Sequence, residues 1–300
     1  MNFIKKFYKK LLYLYKNIVF LTSKDLSLYL INKDNVHHYL DNIKFEIQED
    51  LLNTKKPIIA DPIRTIEKII NEKVSISRFG DGEFELLLNK SIPFQESSLE
   101  LSKRLEEIIT TRNENIIIGI PYFYWNSLRK YNNRVKNFIR GEVSIVRKTY
   151  ESKIDFSKQY YSTEFTQLYM AYGDNVNMDD YFNNLRKIWQ NLDIAIIQGE
   201  GIFLDFEFNI FDNAKTIEYM YAPSTNAFFE YDKIYKKACS LSKDKLILIV
   251  LGPTATVLSY DLANNGYWAL DMGHTAKDFD YYKKQVEKND FNLESFLSPD

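Results

Sequence analysis

Residues 74–83 read VSISRFGDGE, a short strand-like segment that runs into a polar turn with two glycines. The strand signal covers Val74–Phe79, and a helix-like stretch begins at Asp81. Gly80 and Gly82 permit the unusual backbone dihedral angles of a tight turn. A strand that passes through a short turn into a helix is a unit from which α/β domains are built.

The same unit recurs along the chain, and this repetition indicates the fold. Further strand-like runs are Asn115–Ile120, Leu192–Gln198, Thr216–Tyr221, Lys245–Leu251 and Tyr267–Asp271. Helix-like stretches are Asp81–Asn89, Leu99–Thr111, Ser127–Ile139, Met178–Asn191, Asn226–Leu241 and Thr254–Asn264. This alternation predicts an α/β fold, with a mainly parallel sheet and helices on both faces. Ligands of such sheets bind beyond the carboxyl ends of the strands, so the loops there should converge on one site.

The predicted domains are an N-terminal extension over residues 1–56 and the α/β domain over residues 57–300. The first 21 residues contain five lysines, and the first acidic residue is Asp25. Apolar residues recur there at helical spacing, at Phe3, Phe7, Leu11, Leu14 and Ile18. A basic amphipathic helix of this kind is typical of attachment to an anionic membrane surface. Packing on the domain or on a second copy in a homo-oligomer is the alternative.

Composition excludes several classes of protein. The net charge of −2 gives no overall attraction to nucleic acid, so no nucleic-acid partner is predicted. Cys239 is the single cysteine, which excludes an internal disulfide and a cysteine-based zinc cluster. No run of about 18 uncharged apolar residues occurs, so no transmembrane helix is expected. We therefore expect a cytoplasmic protein that can attach to the inner face of the plasma membrane.

The turn after the first strand holds the strongest chemical signal. Asp81 and Glu83 stand two residues apart in an irregular loop, so both carboxylates can reach one hard cation such as Mg²⁺ or Mn²⁺. A metal held there would bridge and neutralise a nucleotide diphosphate. Arg78, next to Phe79 and Gly80, could add a charge-assisted contact to phosphate. The alternative is that Asp81 only caps the following helix.

Other loops supply candidate ligand-binding residues. Gly252, Pro253 and Thr254 lie where a strand runs into a helix, and free backbone N–H groups at a helix start bind anions. Gly199 and Glu200 directly follow another strand, and Asn226 begins a helix after Pro223. The alternatives are a threonine-capped helix and an asparagine cap. Aromatic residues 122–125 follow a further strand and suggest either a sugar platform or core packing.

A candidate general base follows the last strand. His274 is the only histidine of the α/β domain, and Asp278 and Asp280 come shortly after it. A base must reach the acceptor hydroxyl and titrate near neutral pH, which favours histidine. One of the two aspartates could serve instead, and a hydrogen-bonded structural histidine is the alternative.

Five motifs occur in a definite order along residues 58–282: Ser77–Glu83, Gly119–Pro121, Pro223 with Asn226–Phe228, Gly252–Ala255 and Asp271–His274. Together they resemble the GT-D type glycosyltransferases of bacteria, which extend O-linked glycans on serine-rich adhesins or act in surface-polysaccharide synthesis. The resemblance implies a Rossmann-like fold, a UDP-sugar donor, a glycan acceptor, and Mn²⁺ or Mg²⁺ held by Asp81 and Glu83. It also matches His274, Asp278 and Asp280 to the closing segment of the family.

The chain departs from the family pattern at three places where an arginine is expected: Gln167, Tyr219 and the segment 201–207 after Glu200, which reads GIFLDFE. Fewer cations near a diphosphate leave more of its neutralisation to the metal and to Arg78. A non-catalytic, glycan-binding or scaffolding subunit of a glycosylation complex is therefore the competing interpretation. A nucleotide-dependent phosphotransferase or hydrolase is disfavoured because the phosphate-binding Gly-x-x-x-x-Gly-Lys loop is absent.

Overall fold

The computed structural model describes residues 40–42, 55–143, 147, 150–173, 176–202 and 206–288. The chain divides between Lys55 and Lys56 into two units, and only residues 40–42 and 55 of the first unit are described. The predicted amphipathic helix over residues 1–21 therefore lies outside the described residues. Nowhere in the described ranges does a helix have both the length and the hydrophobicity needed to cross a lipid bilayer.

Within the described residues, the second unit contains a sheet of eight parallel strands in the order β1-β4-β3-β2-β8-β7-β5-β6. The strands are β1 (Ile58–Ile59), β2 (Ser75–Arg78), β3 (Ile116–Ile120), β4 (Gln159–Ser162), β5 (Asp193–Gly199), β6 (Thr216–Ala222), β7 (Leu246–Val250) and β8 (Trp268–Asp271). This arrangement confirms the predicted parallel α/β sheet. Two of its strands, β1 and β4, were not among the predicted runs.

Helices connect the strands. They are α1 (Pro62–Glu72), α2 (Asp81–Leu87), α3 (Leu99–Thr110), α4 (Asn133–Phe138), α5 (Leu168–Ala171), α6 (Met178–Arg186), α7 (Tyr231–Ala238), α8 (Pro253–Asn264) and α9 (Thr275–Lys283). The predicted helix over Ser127–Ile139 is wrong as a single element. A 3₁₀ turn at Leu128–Lys130 precedes α4, and a π-helical turn follows it.

The sheet is covered on both faces, because its strands bury successive residues in opposite directions. Leu246 and Leu248 of β7 contribute to a core that also contains side chains of α1, α5, α6 and α9. Ile247 and Ile249 of the same strand contribute to a core with α7 and α8. Buried residues of α2 and α3 form a further cluster with Ile118 of β3. The predicted helical layers on both faces are therefore confirmed.

Helix α9 is attached to α5 through a buried carboxylate. The two oxygens of Asp278 accept hydrogen bonds from the backbone nitrogens of Tyr169 and Met170, each at 2.9 Å. Asp278 is fully buried. These contacts satisfy N–H groups at the start of α5, which its own helical bonds leave unpaired.

Replacing this carboxylate should weaken the fold. Asp278→Asn keeps the size of the side chain but turns an NH₂ group toward a backbone N–H, so one buried donor loses its acceptor. We expect the free energy of unfolding to fall by about 1–3 kcal/mol, the cost of one unpaired buried group. Urea denaturation measures it, with exposed Asp232→Asn as the matched control. Equal unfolding midpoints for the two variants would contradict the role given to Asp278.

Candidate active site

The carboxyl ends of β2 and β8 meet in a buried ion pair between Arg78 and Asp271. Arg78 Nη2 lies 2.9 Å from Asp271 Oδ1, and Arg78 Nε donates to the backbone oxygen of Asp271 at 2.9 Å. Arg78 Nη1 donates to Thr166 Oγ1 at 2.8 Å. These bonds engage three of the five guanidinium N–H groups, and the other two can donate to a ligand. Arg78 was predicted to contact phosphate; its hydrogen bonds also make it the residue that joins β2, β8 and the turn after β4.

Gly273 lies against the Arg78 guanidinium. A Cβ atom at residue 273 would be 1.9 Å from Arg78 Nη2, and the residue has φ +44°. Its backbone nitrogen donates to Asp271 Oδ1 at 3.2 Å. Glycine is therefore required at this position both for its backbone conformation and for the space that the guanidinium occupies.

Helix α2 begins at the predicted metal-binding turn. Gly80 is the N-cap residue, and Asp81 is the first helical residue. The Gly80 nitrogen donates to Glu83 Oε2 at 2.7 Å, so Glu83 caps the helix through the backbone. The alternative that Asp81 is the cap is wrong. The side chain of Asp81 is instead exposed, and one oxygen of Glu83 is free of this contact.

The electrostatics of this turn favour a cation. Burial raises the pKa of Glu83 to about 7, and the negative charge of Asp271 contributes to this rise, against the Gly80 hydrogen bond. Loss of hydration also raises the pKa of Asp81, although solvent screens the effect because this residue is exposed. A bound cation would lower both pKa values by stabilising the ionised carboxylates.

The ligand set available at the turn suits magnesium or manganese. Among the described residues, no group of three or more histidine, cysteine, aspartate or glutamate side chains is placed to enclose a metal ion. Asp81 and Glu83 would therefore supply two oxygen ligands, and water and substrate phosphate the remainder. Mg²⁺ is commonly held in this way, because it keeps several waters and binds substrate phosphates. These oxygen ligands fit such an ion, but their setting differs from the prediction: Asp81 and Glu83 lie in the first turn of α2 and not in an irregular loop.

The loop after β7 has the features expected of an anion site. Gly252 is the N-cap of α8 with φ +51°, Pro253 is the first helical residue, and Thr254 is fully buried. Thr254 Oγ1 has no hydrogen-bond partner among the described residues. Gln198 Oε1, near the carboxyl end of neighbouring β5, is also buried without a partner there. Both atoms are shielded from solvent, so they cost free energy that no hydrogen bond among the described residues offsets.

The loops after β5 and β6 lie in close contact. A Cβ atom on Gly199 would be 2.8 Å from the Cα of Ser224, so the backbone passes where a side chain would stand. Glu200 is exposed directly after this contact, and its nitrogen donates to Ala222 O at 2.9 Å. Asn226 adopts a left-handed conformation with φ 50°.

Asn226 forms hydrogen bonds to the segment between α2 and α3, which the sequence did not identify as part of the site. Its backbone nitrogen donates to Phe94 O at 2.8 Å, and its side-chain oxygen accepts from the Glu96 nitrogen at 2.7 Å. The Phe94 ring also lies 3.1 Å from the position that a Cβ atom on Gly252 would take. The segment between α2 and α3 thus connects the loops after β6 and β7. The only sequence signal that these loops lie close together was the order of small and polar residues in them.

His274 is the N-cap residue of α9 and is partly buried. Burial lowers the pKa of His274 to about 3, with contributions from the positive charges of Arg78 and Lys277. The imidazole is therefore neutral at pH 7, but at this pKa it is a much weaker base than the histidine titrating near neutral pH that the sequence predicted. Lys277 is a buried cation in the first turn of α9 that the sequence reasoning did not single out.

Asp278 and Asp280, the other candidate bases, both have buried structural contacts. Asp278 binds the backbone of α5, and burial raises its pKa to about 7. Asp280 Oδ1 accepts from the nitrogens of Glu207 and Phe208 at 3.0 and 3.1 Å. Its other oxygen lies 2.8 Å from Lys284 Nζ. These contacts favour a structural role over proton transfer for both aspartates.

Glu164 is a further buried acid at this edge of the sheet. It follows β4, is 3% exposed, and burial raises its pKa to about 7. Its Oε1 accepts from the Phe123 nitrogen at 2.9 Å, and its Oε2 from the Tyr131 hydroxyl at 3.1 Å. Glu164 therefore fixes the aromatic turn after β3. Tyr124 of that turn is buried, as core packing predicts.

The sequence matches the family described as glycosyltransferase GT-D fold over residues 76–294. It is 31% identical over 221 residues to a probable glycosyl transferase Gly of Streptococcus gordonii, covering 73% of this chain and 32% of that protein. It is 28% identical over 265 residues to the glycosyltransferase GlyD of Streptococcus pneumoniae serotype 4, covering 85% of this chain and 31% of that one. The chain thus spans about a third of the length of these curated relatives.

Solved structures support the same assignment. A glycosyltransferase of Streptococcus sanguinis with the domain DUF1792 superimposes with a TM-score of 0.74 and 27% identity, covering 81% of this chain and 92% of that chain. A second DUF1792 structure, described as a distinct glycosyltransferase fold, gives a TM-score of 0.73 and 29% identity, covering 81% and 89% of the two chains. On the family match, the sheet and these likenesses, the chain belongs to the glycosyltransferase GT-D fold family.

Proposed function

We propose that this protein transfers a hexose from a UDP-sugar to a hydroxyl of a bacterial surface glycan, on a glycoprotein or a polysaccharide, with Mn²⁺ or Mg²⁺. The observation that carries the proposal is the turn at Asp81 and Glu83. Two carboxylates with raised pKa values lie there beside the buried Arg78–Asp271 pair, at the carboxyl edge of a parallel sheet. Ligands of open α/β sheets bind at this edge.

Donor binding is divided between two loops in this proposal. The metal held by Asp81 and Glu83 would stabilise the negative charge of the departing UDP. The N–H groups at the start of α8, at Gly252–Thr254, provide a second anion-binding group, strengthened by the helix dipole. The other two N–H groups of Arg78 are further donors on this side.

The transfer itself is a displacement with inversion. The acceptor oxygen forms a bond to the anomeric carbon, the bond from that carbon to the diphosphate oxygen breaks, and UDP leaves. The proton of the acceptor hydroxyl passes to a base. His274 is the proposed base because it is only partly buried, whereas Asp278 and Asp280 are buried and accept hydrogen bonds from the backbone. The low pKa of His274 in this structure opposes the assignment, so proton transfer requires the negative charge of a bound diphosphate to raise that pKa.

The metal assignment predicts the behaviour of the double variant Asp81→Asn with Glu83→Gln. Each amide keeps the shape of its carboxylate, and the amide introduced at position 83 retains an oxygen for the Gly80 N–H, so the melting temperature should change little. In the presence of Mn²⁺, affinity for UDP should fall by about 100-fold or more, because a metal contributes several kcal/mol of charge stabilisation. Isothermal titration calorimetry with and without Mn²⁺ measures this.

A control variant carries the same charge change at exposed positions elsewhere, Glu67→Gln with Glu114→Gln. It should bind UDP as the unmodified protein does. Mn²⁺-dependent UDP affinity that survives in the Asp81 and Glu83 variant would show that the metal is held by other residues. Mn²⁺-dependent UDP binding without transfer from any member of a UDP-sugar panel would favour the non-catalytic, glycan-binding function.

The base assignment predicts a defect in turnover. His274→Ala should lower kcat by about 100-fold or more, the usual size of an acid–base contribution, while the affinity for the donor is retained. Steady-state kinetics with separate donor titrations measure both quantities, and Lys283→Ala on the exposed side of α9 is the control. A lower melting temperature with normal kcat would instead assign His274 a structural role.

We also propose, from its charge alone, that the N-terminal extension attaches the protein to the inner face of the membrane. Each of the five lysines near an anionic surface contributes on the order of 1 kcal/mol, which suffices for reversible attachment with the apolar face buried. The 300-residue chain should co-sediment with anionic vesicles, and high salt should release part of it. A chain that starts near Asn53 should remain in the supernatant. Equal pelleting of both would assign the extension to packing or oligomerisation.

A further inference from the structure

A polar pocket of about 510 Å³ is lined by none of the candidate metal-binding, donor-binding or base residues. Its walls come from three parts of the chain: the segment after β3, the region of α5 that follows β4, and the residues after α9. Cationic side chains of Arg129, Lys130, Lys136 and Lys288 line it, together with one acid, Glu287. A pocket of this size accommodates a small organic ligand.

Hydrogen bonds fix the shape of this pocket, which we call the basic pocket. The Gly173 nitrogen donates to Lys130 O at 2.9 Å, and the Asn132 nitrogen donates to Ala171 O at 3.1 Å. The side-chain amide of Asn132 also donates to Met170 O at 2.8 Å. These contacts join the segment after β3 to the end of α5. A ligand would therefore meet a surface that is already ordered, which reduces the entropic cost of binding.

The buried Glu164 contacts the wall of the basic pocket through Tyr131. The Tyr131 hydroxyl donates to Glu164 Oε2 at 3.1 Å, and Tyr131 and Tyr172 form a β-bridge. Tyr131 lies between Lys130 and Asn132 in the wall of the basic pocket. On the opposite side, Lys288 Nζ lies 4.8 Å from the centre of the Tyr169 ring. The Tyr169 hydroxyl donates to Val286 O at 2.9 Å, which ties the residues after α9 to α5.

The charge of the basic pocket is concentrated, and at three positions no carboxylate of the described residues pairs with it. Within the part of the chain that the structure describes, Arg129, Lys130 and Lys136 form no ion pair with a carboxylate. Some exposed lysines elsewhere do pair; Lys233, for example, lies 2.8 Å from Glu230. The full chain carries a net charge of −2, so this cluster of one sign runs against the overall balance. Such a concave cluster attracts anions.

We propose that the basic pocket binds a phosphate- or diphosphate-bearing ligand. Arginine and lysine side chains are suited to phosphate oxygens, and the Asn132 and Asn133 side chains in the wall are further polar groups. The described walls of the pocket contain no pair of carboxylates, so binding there requires no divalent metal. It is therefore distinct in chemistry from the turn at Asp81 and Glu83, and it does not depend on the function proposed above.

The test uses inorganic pyrophosphate and the full-length protein at low salt with EDTA, so that no divalent cation is present. Isothermal titration calorimetry should detect binding that weakens as the salt concentration rises. The variant Lys130→Gln with Lys136→Gln removes two charges and leaves the backbone contacts of residue 130 intact. Its pyrophosphate affinity should be at least about tenfold lower, since hydrogen bonds to charged groups are among the stronger ones.

Two control variants separate this result from other causes. Lys236→Gln with Lys237→Gln removes the same charge from the exposed surface of α7 and should bind pyrophosphate normally. Asp81→Asn with Glu83→Gln should also bind normally in EDTA, whatever the outcome for the metal site. The proposal is overturned if pyrophosphate does not bind at low salt. It is equally overturned if affinity is unchanged in the Lys130 and Lys136 variant, or falls as far in the α7 control.

A competition experiment identifies the source of the phosphate. Vesicles of phosphatidylglycerol in phosphatidylcholine are added to the pyrophosphate complex, with vesicles of phosphatidylcholine alone as the control. Displacement only by the anionic vesicles supports the proposal with a lipid phosphate as the ligand. Retention of pyrophosphate in both cases supports it with a soluble phosphorylated ligand. Arg129→Gln provides an independent variant, whose pyrophosphate affinity should also fall.

Discussion

The buried ion pair of Arg78 and Asp271 determines the arrangement of the site. The two side chains are 12% and 3% exposed, so each charge is balanced mainly by its partner and not by water. Removing one partner of such a pair leaves an uncompensated buried charge, which costs about 3–5 kcal/mol. The pair joins the ends of β2 and β8, and Thr256 Oγ1 of α8 adds a hydrogen bond to Arg78 O at 2.8 Å. The loops after these strands start from this fixed point.

The pair also affects the charge at the turn that contains Asp81 and Glu83. One positive charge, on Arg78, is matched by Asp271, so the carboxylates of Glu83 and Asp81 have no full countercharge from it. Asp271 in fact raises the pKa of Glu83 by its negative charge, in addition to the larger effect of burial. In the proposed function a cation would balance this excess of carboxylate, and a diphosphate would be a further ligand. Arg78 also contributes to the neutral state of His274, whose pKa is lowered first by burial and then by this positive charge.

The sequence indicated the parts of the fold that repeat and missed those that depend on tertiary contacts. Strands such as Leu246–Val250 are buried on both faces and read as continuous apolar runs. β4 reads Gln-Tyr-Tyr-Ser and β1 has two residues, so neither gives such a signal. Because the strands are parallel, the loops that contain Asp81, Gly252 and His274 lie at the same, carboxyl end of the sheet. The hydrogen-bond partners of side chains could not be predicted in the same way. Glu164, for example, accepts a hydrogen bond from the Phe123 nitrogen, and the two residues are 41 positions apart in the sequence. For the same reason Asp278 and Asp280 resembled candidate bases beside His274, although the backbone groups that they bind belong to distant segments.

The two proposed anion sites use opposite electrostatic arrangements. At the turn after β2, carboxylates require a metal before they can hold phosphate, so occupancy depends on the divalent cation concentration. In the basic pocket, cations act directly, so occupancy depends on ionic strength. Glu164 joins the basic pocket to the aromatic turn after β3, since its two oxygens accept hydrogen bonds from Tyr131 of the pocket wall and from the Phe123 nitrogen. A change at Glu164 would therefore disturb both the turn after β3 and the basic pocket, whereas the Arg78–Asp271 pair would retain its own hydrogen bonds.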